Sequence, residues 1–399
     1  MIKKVQLPLQ TLNLVSGFML WVIISSLLPF IKEDIAIPAD KIAIVTALPV
    51  VLGSILRIPL GYYANLFGAR MIFLVSFIVL LFPVYYLSMA TTYVDLLIGG
   101  LFLGISGAVF SVGVTSLPKY YPKERQGLVN GIYGAGNIGT AISTFGAPII
   151  AMKIGWTATI QLYLVLLGII ILINAFFGDR KETKNKTPLL EQIKVVYRNE
   201  KLWLLCLFYF VTFGSFVAFT IYLPNFLVVN FEIEKVDAGL RTAGFILVAT
   251  VMRPIGGWLA DMYHSLILLM VVFLGFTLSA ILLSFAPSIS WYTVGCLTIA
   301  FCSGIGNGVI FKLVPMYFQQ QAGVVNGIVS AMGGLGGFFP PIILTALHKL
   351  TGHYAIGFMA LSEIALASLI IVVWMYFQNR LEAKDQLNES KSSAESTNF

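Results

Sequence analysis

Two arginines lie inside stretches of apolar and small residues, where a permanent positive charge is unusual. They are Arg57 in LRIPLGYYAN and Arg253 in VATVMRPIGGWLAD. A guanidinium group has a pKa above about 12 and stays charged, and a charged residue at the centre of a membrane helix costs about 2.5–3.5 kcal/mol on insertion scales. Since no acidic residue stands nearby in sequence to neutralise them, the two groups indicate a binding function.

The ligand class that this chemistry predicts is a small oxyanion, because the rigid guanidinium fork matches planar oxyanions in bidentate geometry. Carboxylate, phosphate, sulfate and nitrate all fit these residues. The alternative is structural, with each arginine reaching a membrane interface or pairing with helix carbonyl groups. Arg57 and Arg253 stand about fifteen and seventeen residues into their apolar segments, which suits an interface poorly.

Two glycine-rich segments could bring helices close to these arginines. They read GIYGAGNIGTAISTFGAP (131–148) and GIVSAMGGLGGFFPP (327–341). In water each glycine weakens a helix by roughly 1 kcal/mol, but in membranes small residues let helix backbones approach closely. Close packing alone is one interpretation. Asn137, and Asn307 in GIGNGVIF (304–311), favour a second interpretation, in which polar groups face a cavity.

The elements that must position these residues are membrane-spanning helices. Of the 399 residues, 58% are hydrophobic and 11% are charged, and the mean hydropathy is +0.90, whereas a soluble domain has about 25% charged residues. Segments of roughly 20 apolar residues span a bilayer, and they must be helical because lipid offers no partner for unpaired backbone groups. Twelve spans are predicted, at 11–31, 42–63, 71–91, 94–117, 128–152, 156–177, 202–230, 236–260, 265–286, 289–313, 322–347 and 353–377.

The spans divide into two halves built on one plan. Arg57 and Arg253 are 196 positions apart, and at the same separation GLVNGI (127–132) matches GVVNGI (323–328) at five of six positions. Duplicated halves with a site between them near the midplane are the plan of the major facilitator transporters. The sequence therefore predicts an all-α membrane protein with two pseudo-symmetric six-helix halves. The predicted boundaries are 1–178 for the first half, 179–201 for a cytoplasmic linker, 202–378 for the second half and 379–399 for a disordered polar tail.

The distribution of basic residues predicts the orientation in the membrane. With both termini in the cytoplasm, 16 of the 25 Lys and Arg residues lie in cytoplasmic segments, 6 on the opposite side and 3 within spans. The net charge of +7 is thus mostly a consequence of topology, and no nucleic-acid partner is predicted. We expect a lipid-embedded protein of the plasma membrane. The three cysteines show no metal-ligand spacing, so neither a metal nor a cofactor is expected.

Several motifs together resemble the nitrate/nitrite porter family of the major facilitators, most closely its NarT type. GYYANLFGAR (61–70) is similar to the superfamily's loop signature, with Asn65 where aspartate is usual. The two arginines and both glycine-rich segments resemble the porter family, as do FYFVTFGSF (208–216) and GISGAVFSVGVTSLPKYYPKERQG (104–127). The similarity covers essentially the whole chain. It implies that Arg57 and Arg253 bind the anion, that Tyr209 hydrogen-bonds it, that Phe110 and Phe213 close over its faces, and that Asn137 supports the site.

The resemblance implies nitrate uptake and nitrite export by alternating access, and we expect exchange of the two anions. Proton-coupled nitrate symport remains an alternative, with Glu363 as a candidate proton carrier, as does export of another small organic anion or a drug. No nucleophile–base pair, metal motif or phosphate loop is found, so the prediction is a transporter, acting as a monomer, and not an enzyme. Asn307 is a further polar candidate in the cavity. The signature glycines, expected at helix contacts, are Gly131, Gly134, Gly136, Gly139, Gly333, Gly334, Gly336 and Gly337.

Overall fold

The computed structural model describes residues 2–38, 41–184, 187–351 and 354–396, and within these ranges the chain forms helices and no strands. Short 3₁₀ turns cover Leu117–Tyr120, Lys123–Arg125 and Ala135–Asn137. The α-helices are α1 (Ile2–Trp21), α2 (Ile23–Asp34), α3 (Ile42–Phe67), α4 (Ala69–Leu87), α5 (Tyr93–Ala108), α6 (Phe110–Ser116), α7 (Gln126–Gly134), α8 (Ile138–Ile154), α9 (Trp156–Phe177), α10 (Leu189–Tyr197), α11 (Glu200–Phe231), α12 (Lys235–Met262), α13 (Ser265–Ser284), α14 (Ile289–Tyr317), α15 (Ala322–Thr351) and α16 (Ala355–Ser396).

Eleven helical stretches in the described residues are long and apolar enough to cross a membrane, and two of them contain a short break, at Val22 and at Val109. The remaining predicted span, 128–152, is divided by the turn at Ala135–Asn137 into α7 and α8, of 9 and 17 residues. Glycine destabilises a helix interior, and Gly134 and Gly136 lie at this break. The multi-pass membrane protein predicted from the sequence is thus confirmed, with helix breaks inside three of the predicted spans, 11–31, 94–117 and 128–152.

The two halves repeat the same helix pairings. In the first half α3 packs against α5, and in the second half α12 packs against α14. The halves meet where α3 packs on α15 and where α7 packs on α12. Each arginine helix therefore packs against a glycine-rich helix of the opposite half.

Glycines at equivalent positions allow this close contact between the halves. A Cβ atom at Gly131 would lie 2.8 Å from the carbonyl oxygen of Arg253. A Cβ atom at Gly327, which is 196 positions later, would lie 2.8 Å from the carbonyl oxygen of Arg57. Both distances are shorter than real Cβ contacts allow, so any side chain at either position would push the halves apart. The sequence repeat thus corresponds to a repeated contact in space.

Two equivalent hydrogen bonds between the halves lie toward one end of the bundle, the end that carries the linker with α10, called here the linker face. Asn130 donates through Nδ2 to the carbonyl oxygen of Phe311 at 3.3 Å. Asn326, at the equivalent position of the second half, donates to the carbonyl oxygen of Val114 at 3.1 Å. These two hydrogen bonds therefore hold the halves together at the linker face, and each half donates one of them.

A carboxylate adds a further contact at the linker face. Asp261 accepts hydrogen bonds from the backbone nitrogens of Gly127 and Leu128, at 3.1 and 2.8 Å, and so binds the first turn of α7 in the other half. Its charge is favourable at a helix N-terminus, and Lys312 forms an ion pair with it. The equivalent position in the first half is Asn65, so this charged contact exists on one side only.

The polar tail predicted as disordered is helical in the structure through Ser396, as the continuation of α16, and residues 397–399 lie outside the described part. The segment LEAKDQLNESK is rich in Leu, Glu, Ala, Lys and Gln, which have high helix propensity, and this explains why the helix continues beyond the apolar residues.

Candidate functional site

The two arginines converge on one pair of aromatic rings at the interface between the halves. Arg57 on α3 and Arg253 on α12 are 0% and 1% exposed, and they are among the largest fully buried side chains in the described part of the chain. The guanidinium carbon of Arg57 lies 5.3 Å from the ring centre of Phe110 and 5.1 Å from that of Phe213. The guanidinium carbon of Arg253 lies 5.0 and 5.8 Å from the same two centres. The rings thus stabilise both cations by cation–π contact.

The hydrogen bonds of the two guanidinium groups are incomplete. Arg57 donates through Nη1 to the carbonyl oxygen of Ser330 at 2.6 Å, and through Nε to that of Gly107 at 3.4 Å. Arg253 donates through Nη2 to the hydroxyl of Tyr209 at 3.1 Å. Among the described residues no partner exists for Nη2 of Arg57 or for Nε and Nη1 of Arg253, and no ion pair includes either arginine. Three buried, charged donor nitrogens are therefore available to an anion.

The aromatic pair is closed in this conformation. The rings of Phe110 and Phe213 are 6.3 Å apart between centres and nearly parallel, at 18°. A flat anion touching both faces needs the rings roughly 7 Å apart, twice a contact distance of about 3.5 Å. An anion between these rings, as the resemblance implied, therefore requires them to separate slightly. Phe110 begins α6 directly after the helix break at Val109, and breaks of this kind often mark functional hinges.

Tyr209 connects the aromatic pair with one arginine. Its ring stacks on Phe213 with 5.0 Å between centres and an angle of 4°, and its hydroxyl accepts from Arg253. No acceptor for the hydroxyl proton of Tyr209 exists among the described residues, so this proton can be donated to a bound anion. A Cβ atom at Gly333 would lie 2.2 Å from the ring, so that glycine makes room for Tyr209.

Each arginine side chain contacts the same position in the glycine-rich helix of the opposite half. Arg253 lies so close to Gly134 that a Cβ atom there would be 2.0 Å from its Nε. Arg57 donates to the backbone of Ser330, which is 196 positions after Gly134. The two arginines therefore bind their opposite halves in related ways, and closing the halves encloses both of them.

The sequence comparison places this arrangement in a family. Residues 11–341 match the profile of the Major Facilitator Superfamily. The chain belongs to the major facilitator superfamily. Major facilitators are membrane transporters, so the prediction of a transporter and not an enzyme agrees with this membership.

Relatives within the superfamily are similar over nearly the full length. The chain is 63% identical to the nitrite extrusion protein of Bacillus subtilis (strain 168), over 97% of this chain and 98% of that protein. It is 51% identical to the probable nitrate transporter NarT of Staphylococcus epidermidis, over 92% of this chain and 95% of that protein. It is 53% identical to the probable nitrate transporter NarT of Staphylococcus aureus (strain Newman), over 93% of this chain and 95% of that protein. The resemblance predicted from the motifs is thus confirmed.

A solved structure shares the fold. The human organic anion transporter MFSD10 superposes with a TM-score of 0.76, with 15% sequence identity, over 93% of this chain and 99% of that one. At this identity the likeness shows the fold alone, and it confirms the predicted major facilitator architecture.

The two predicted asparagines are buried but lie apart from the arginine hydrogen bonds. Asn137, in the 3₁₀ turn between α7 and α8, is 2% exposed, and Asn307 on α14 is equally buried. In both residues Oδ1 has no hydrogen-bond partner in the described part of the chain. Neither is bonded to Arg57 or Arg253 there, so a role in binding stays a prediction. Unsatisfied amide groups of this kind are compatible with a ligand or with bound water.

Of the remaining signature glycines, all except Gly334 contact helices within their own half, as close packing predicts. Gly136 and Gly139 approach Leu14 and Val15 of α1, and Gly336 approaches the backbone of Phe210 on α11. Gly334 leaves space for the side chain of Ser54 on α3, in the opposite half. Gly337 leaves space for the side chain of Val217 on α11.

Three aromatic residues of the site were missed by the sequence reasoning. Trp21 lies 5.7 Å from the guanidinium carbon of Arg57. Tyr133 stacks on Phe110 at 5.8 Å, and its hydroxyl donates to the carbonyl oxygen of Val109 at the helix break. Phe311 lies edge-on to Phe110 at 5.3 Å. A signal was present for two of them, because Tyr133 and Phe311 stand four residues, about one helical turn, from Asn137 and Asn307.

Proposed function

We propose that this protein transports nitrate and nitrite across the plasma membrane by alternating access, acting as a monomer with both termini in the cytoplasm. The observation that carries this proposal is the pair of buried arginines, one from each half, with three donor nitrogens that have no partner among the described residues. The relatives support nitrate and nitrite as the anions, since they are named a nitrite extrusion protein and probable nitrate transporters. Because one chain supplies both arginines, the site needs no second copy.

The geometry explains why a small, flat anion is favoured. A buried charged donor without a partner is destabilising by about 1–3 kcal/mol or more, so an acceptor that meets several of them binds favourably. A planar group requires the rings of Phe110 and Phe213 to separate only slightly, whereas a tetrahedral anion needs them further apart. Nitrate carries one charge and is weakly hydrated, so the loss of its water is easier to offset than for a divalent anion.

The same arginines link binding to closure of the two halves. Without an anion, closure brings two like charges to the same two rings, and their repulsion opposes it. A bound anion attracts both groups and lowers that repulsion, so the loaded site closes more easily than the empty one. A transporter whose halves reorient only when an anion is bound exchanges one anion for another. This supports exchange of nitrate for nitrite.

The described carboxylates support exchange over proton symport. Glu363, the candidate proton carrier, lies on the exposed side of α16. Asp95 caps the start of α5 by accepting from Thr92, and it also accepts from Tyr86 at 2.7 Å. Asp261 is held in an ion pair with Lys312 at the linker face. None of the three contacts the arginine pair.

Proteoliposomes distinguish exchange from symport. Purified protein is reconstituted in vesicles loaded with nitrite, or with an impermeant buffer alone, and nitrate uptake is measured together with internal pH. Exchange predicts rapid uptake only in nitrite-loaded vesicles, without internal acidification. Uptake into empty vesicles with one proton per anion supports symport and contradicts exchange, and failure to move either anion contradicts the proposed function.

A further inference from the structure

A second cavity lies between the halves at the linker face, apart from the arginine pair. Its volume is about 760 Å³. Part of its wall comes from the first half at Val114 and Thr115, part from the second half at Asn326, and part from the linker at Gln192. We call this cavity the vestibule. Since a water molecule occupies about 30 Å³ of liquid, the vestibule has room for an anion that keeps much of its hydration shell.

The vestibule is positively charged. Four lysines line it, Lys119, Lys123, Lys184 and Lys312, and the lining residues that the structure describes include no aspartate or glutamate. Glu182 neutralises Lys119, and Asp261 neutralises Lys312. The side chains of Lys123 and Lys184 are exposed and have no ion pair among the described residues. Two uncompensated positive charges therefore act on the space between the halves.

The deep wall of the vestibule contains polar groups without partners. Thr115 and Asn326 are 5% and 2% exposed, and Oγ1 of Thr115 and Oδ1 of Asn326 have no hydrogen-bond partner among the described residues. Gln192 of the linker helix α10, 3% exposed, has an unpartnered Oε1 as well. Buried polar atoms of this kind are normally satisfied, which indicates that water or a hydrated ligand occupies this space.

The vestibule and the arginine site lie in series along two shared helical segments. Asn326 of its wall stands four residues before Ser330, whose carbonyl oxygen accepts from Arg57. Val114 stands four residues after Phe110. Four residues of helix rise about 6 Å, so only about one helical turn separates the vestibule from the arginine site. The hydrogen bond from Asn326 to the carbonyl oxygen of Val114 joins the two halves at this level of the bundle.

We propose that the vestibule is a second, weak binding site for small inorganic oxyanions, from which they enter or leave the arginine site through the linker face. This inference rests on the proposed function, since the same anions occupy both sites. Binding here depends on the long-range charge of Lys123 and Lys184 and on hydrated contact with the polar wall, so it is sensitive to salt. The linker thereby takes part in transport, because it supplies Lys184 and Gln192 to the site.

The test removes the two uncompensated charges in the double variant Lys123→Gln/Lys184→Gln. Nitrate uptake is measured in membrane vesicles of both orientations, at ionic strengths of about 10 and 150 mM, where the Debye lengths are about 30 and 8 Å. Two charges at about 8 Å from an anion in water raise its local concentration about fourfold at 10 mM and about twofold at 150 mM. We therefore expect KM at the linker face to rise about fourfold at low salt and about twofold at high salt. KM at the opposite face and the maximal rate are expected to stay unchanged.

A matched control separates the vestibule from the general charge of the surface. Lys194→Gln/Arg198→Gln removes two positive charges from exposed residues of the same linker, neither of which lines the vestibule. The proposal is overturned by an unchanged KM in the Lys123/Lys184 variant at low salt, by equal rises at both faces, or by an equal rise in the control. Absence of nitrate transport by the unmodified protein at either face would instead overturn the proposed function.

Discussion

Replacing Gly134 by alanine tests whether the position of the Arg253 guanidinium group determines anion binding. The added methyl carbon would lie 2.0 Å from Nε and 2.5 Å from Cζ of Arg253, whereas ordinary van der Waals contact begins at 3.4 Å. The arginine must therefore move by about 1.4 Å. A shift of this size lengthens the 3.1 Å bond from Nη2 to Tyr209 beyond hydrogen-bond distance if it is directed away from the hydroxyl, and it displaces both free donor nitrogens.

The expected loss follows from the bonds that the anion would forfeit. Hydrogen bonds to charged groups contribute about 1.5–3 kcal/mol each. Loss of one or two of them weakens binding by about 3 kcal/mol, which corresponds to roughly a hundredfold rise in Kd. We thus expect Gly134→Ala to bind nitrate about a hundredfold more weakly than the unmodified protein.

Binding is measured on purified protein from the nitrate concentration dependence of the thermal unfolding temperature, because a ligand of the folded state stabilises it in proportion to the logarithm of [L]/Kd. The control is Gly146→Ala, the same substitution in the same span, where an added Cβ meets nothing within 4 Å. Unfolding without nitrate and elution as a single species establish that each variant is folded. A folded Gly134→Ala protein that binds nitrate within threefold of the unmodified protein refutes the reasoning.

The contacts that close the linker face lead to two further predictions. Asp261→Asn removes the charge that binds the first turn of α7 and leaves Lys312 unpaired. The free energy of opening the linker face should therefore fall by about 1–2 kcal/mol, which raises the open population roughly five- to thirtyfold. Distances between spin labels across that face measure this population, and an unchanged distance distribution contradicts the prediction. Asn130→Ala and Asn326→Ala each remove a hydrogen bond between the halves that contributes about 1 kcal/mol. Each substitution should therefore raise the population with an open linker face about fivefold, and the double variant should raise it by about the product of the two. A double variant that is no more open than either single variant contradicts two independent contacts.

Much of the fold was predictable because membrane helices follow from hydropathy. Lipid leaves the backbone no alternative to helix, so most apolar segments could be placed within a few residues, although α1 begins nine residues before its predicted span and α16 ends nineteen residues after its own. The relation between the halves was predictable too, because the repeated spacing of Arg57 and Arg253 reflects equivalent positions. Packing of each arginine helix against the opposite glycine-rich helix is the spatial form of that repeat.

The details that decide function were not predictable in the same way. Breaks at Val109 and at Ala135–Asn137 interrupt segments whose hydropathy is continuous, since hydropathy does not report local backbone geometry. Tyr133 and Phe311 stand four residues from the two predicted asparagines, but they are two of many aromatic residues, and the packing of helices is needed to select them. The vestibule combines side chains from both halves and the linker, so no single motif carries it.

The central claim is that the two guanidinium groups bind the anion together, and it is tested most directly by nitrate binding to Arg57→Lys and Arg253→Lys. Lysine keeps the positive charge but loses the planar fork and the flat contact with the rings of Phe110 and Phe213. The account predicts that each substitution raises the Kd for nitrate about ten- to a hundredfold in folded, purified protein. Affinities equal to that of the unmodified protein in both variants would contradict it.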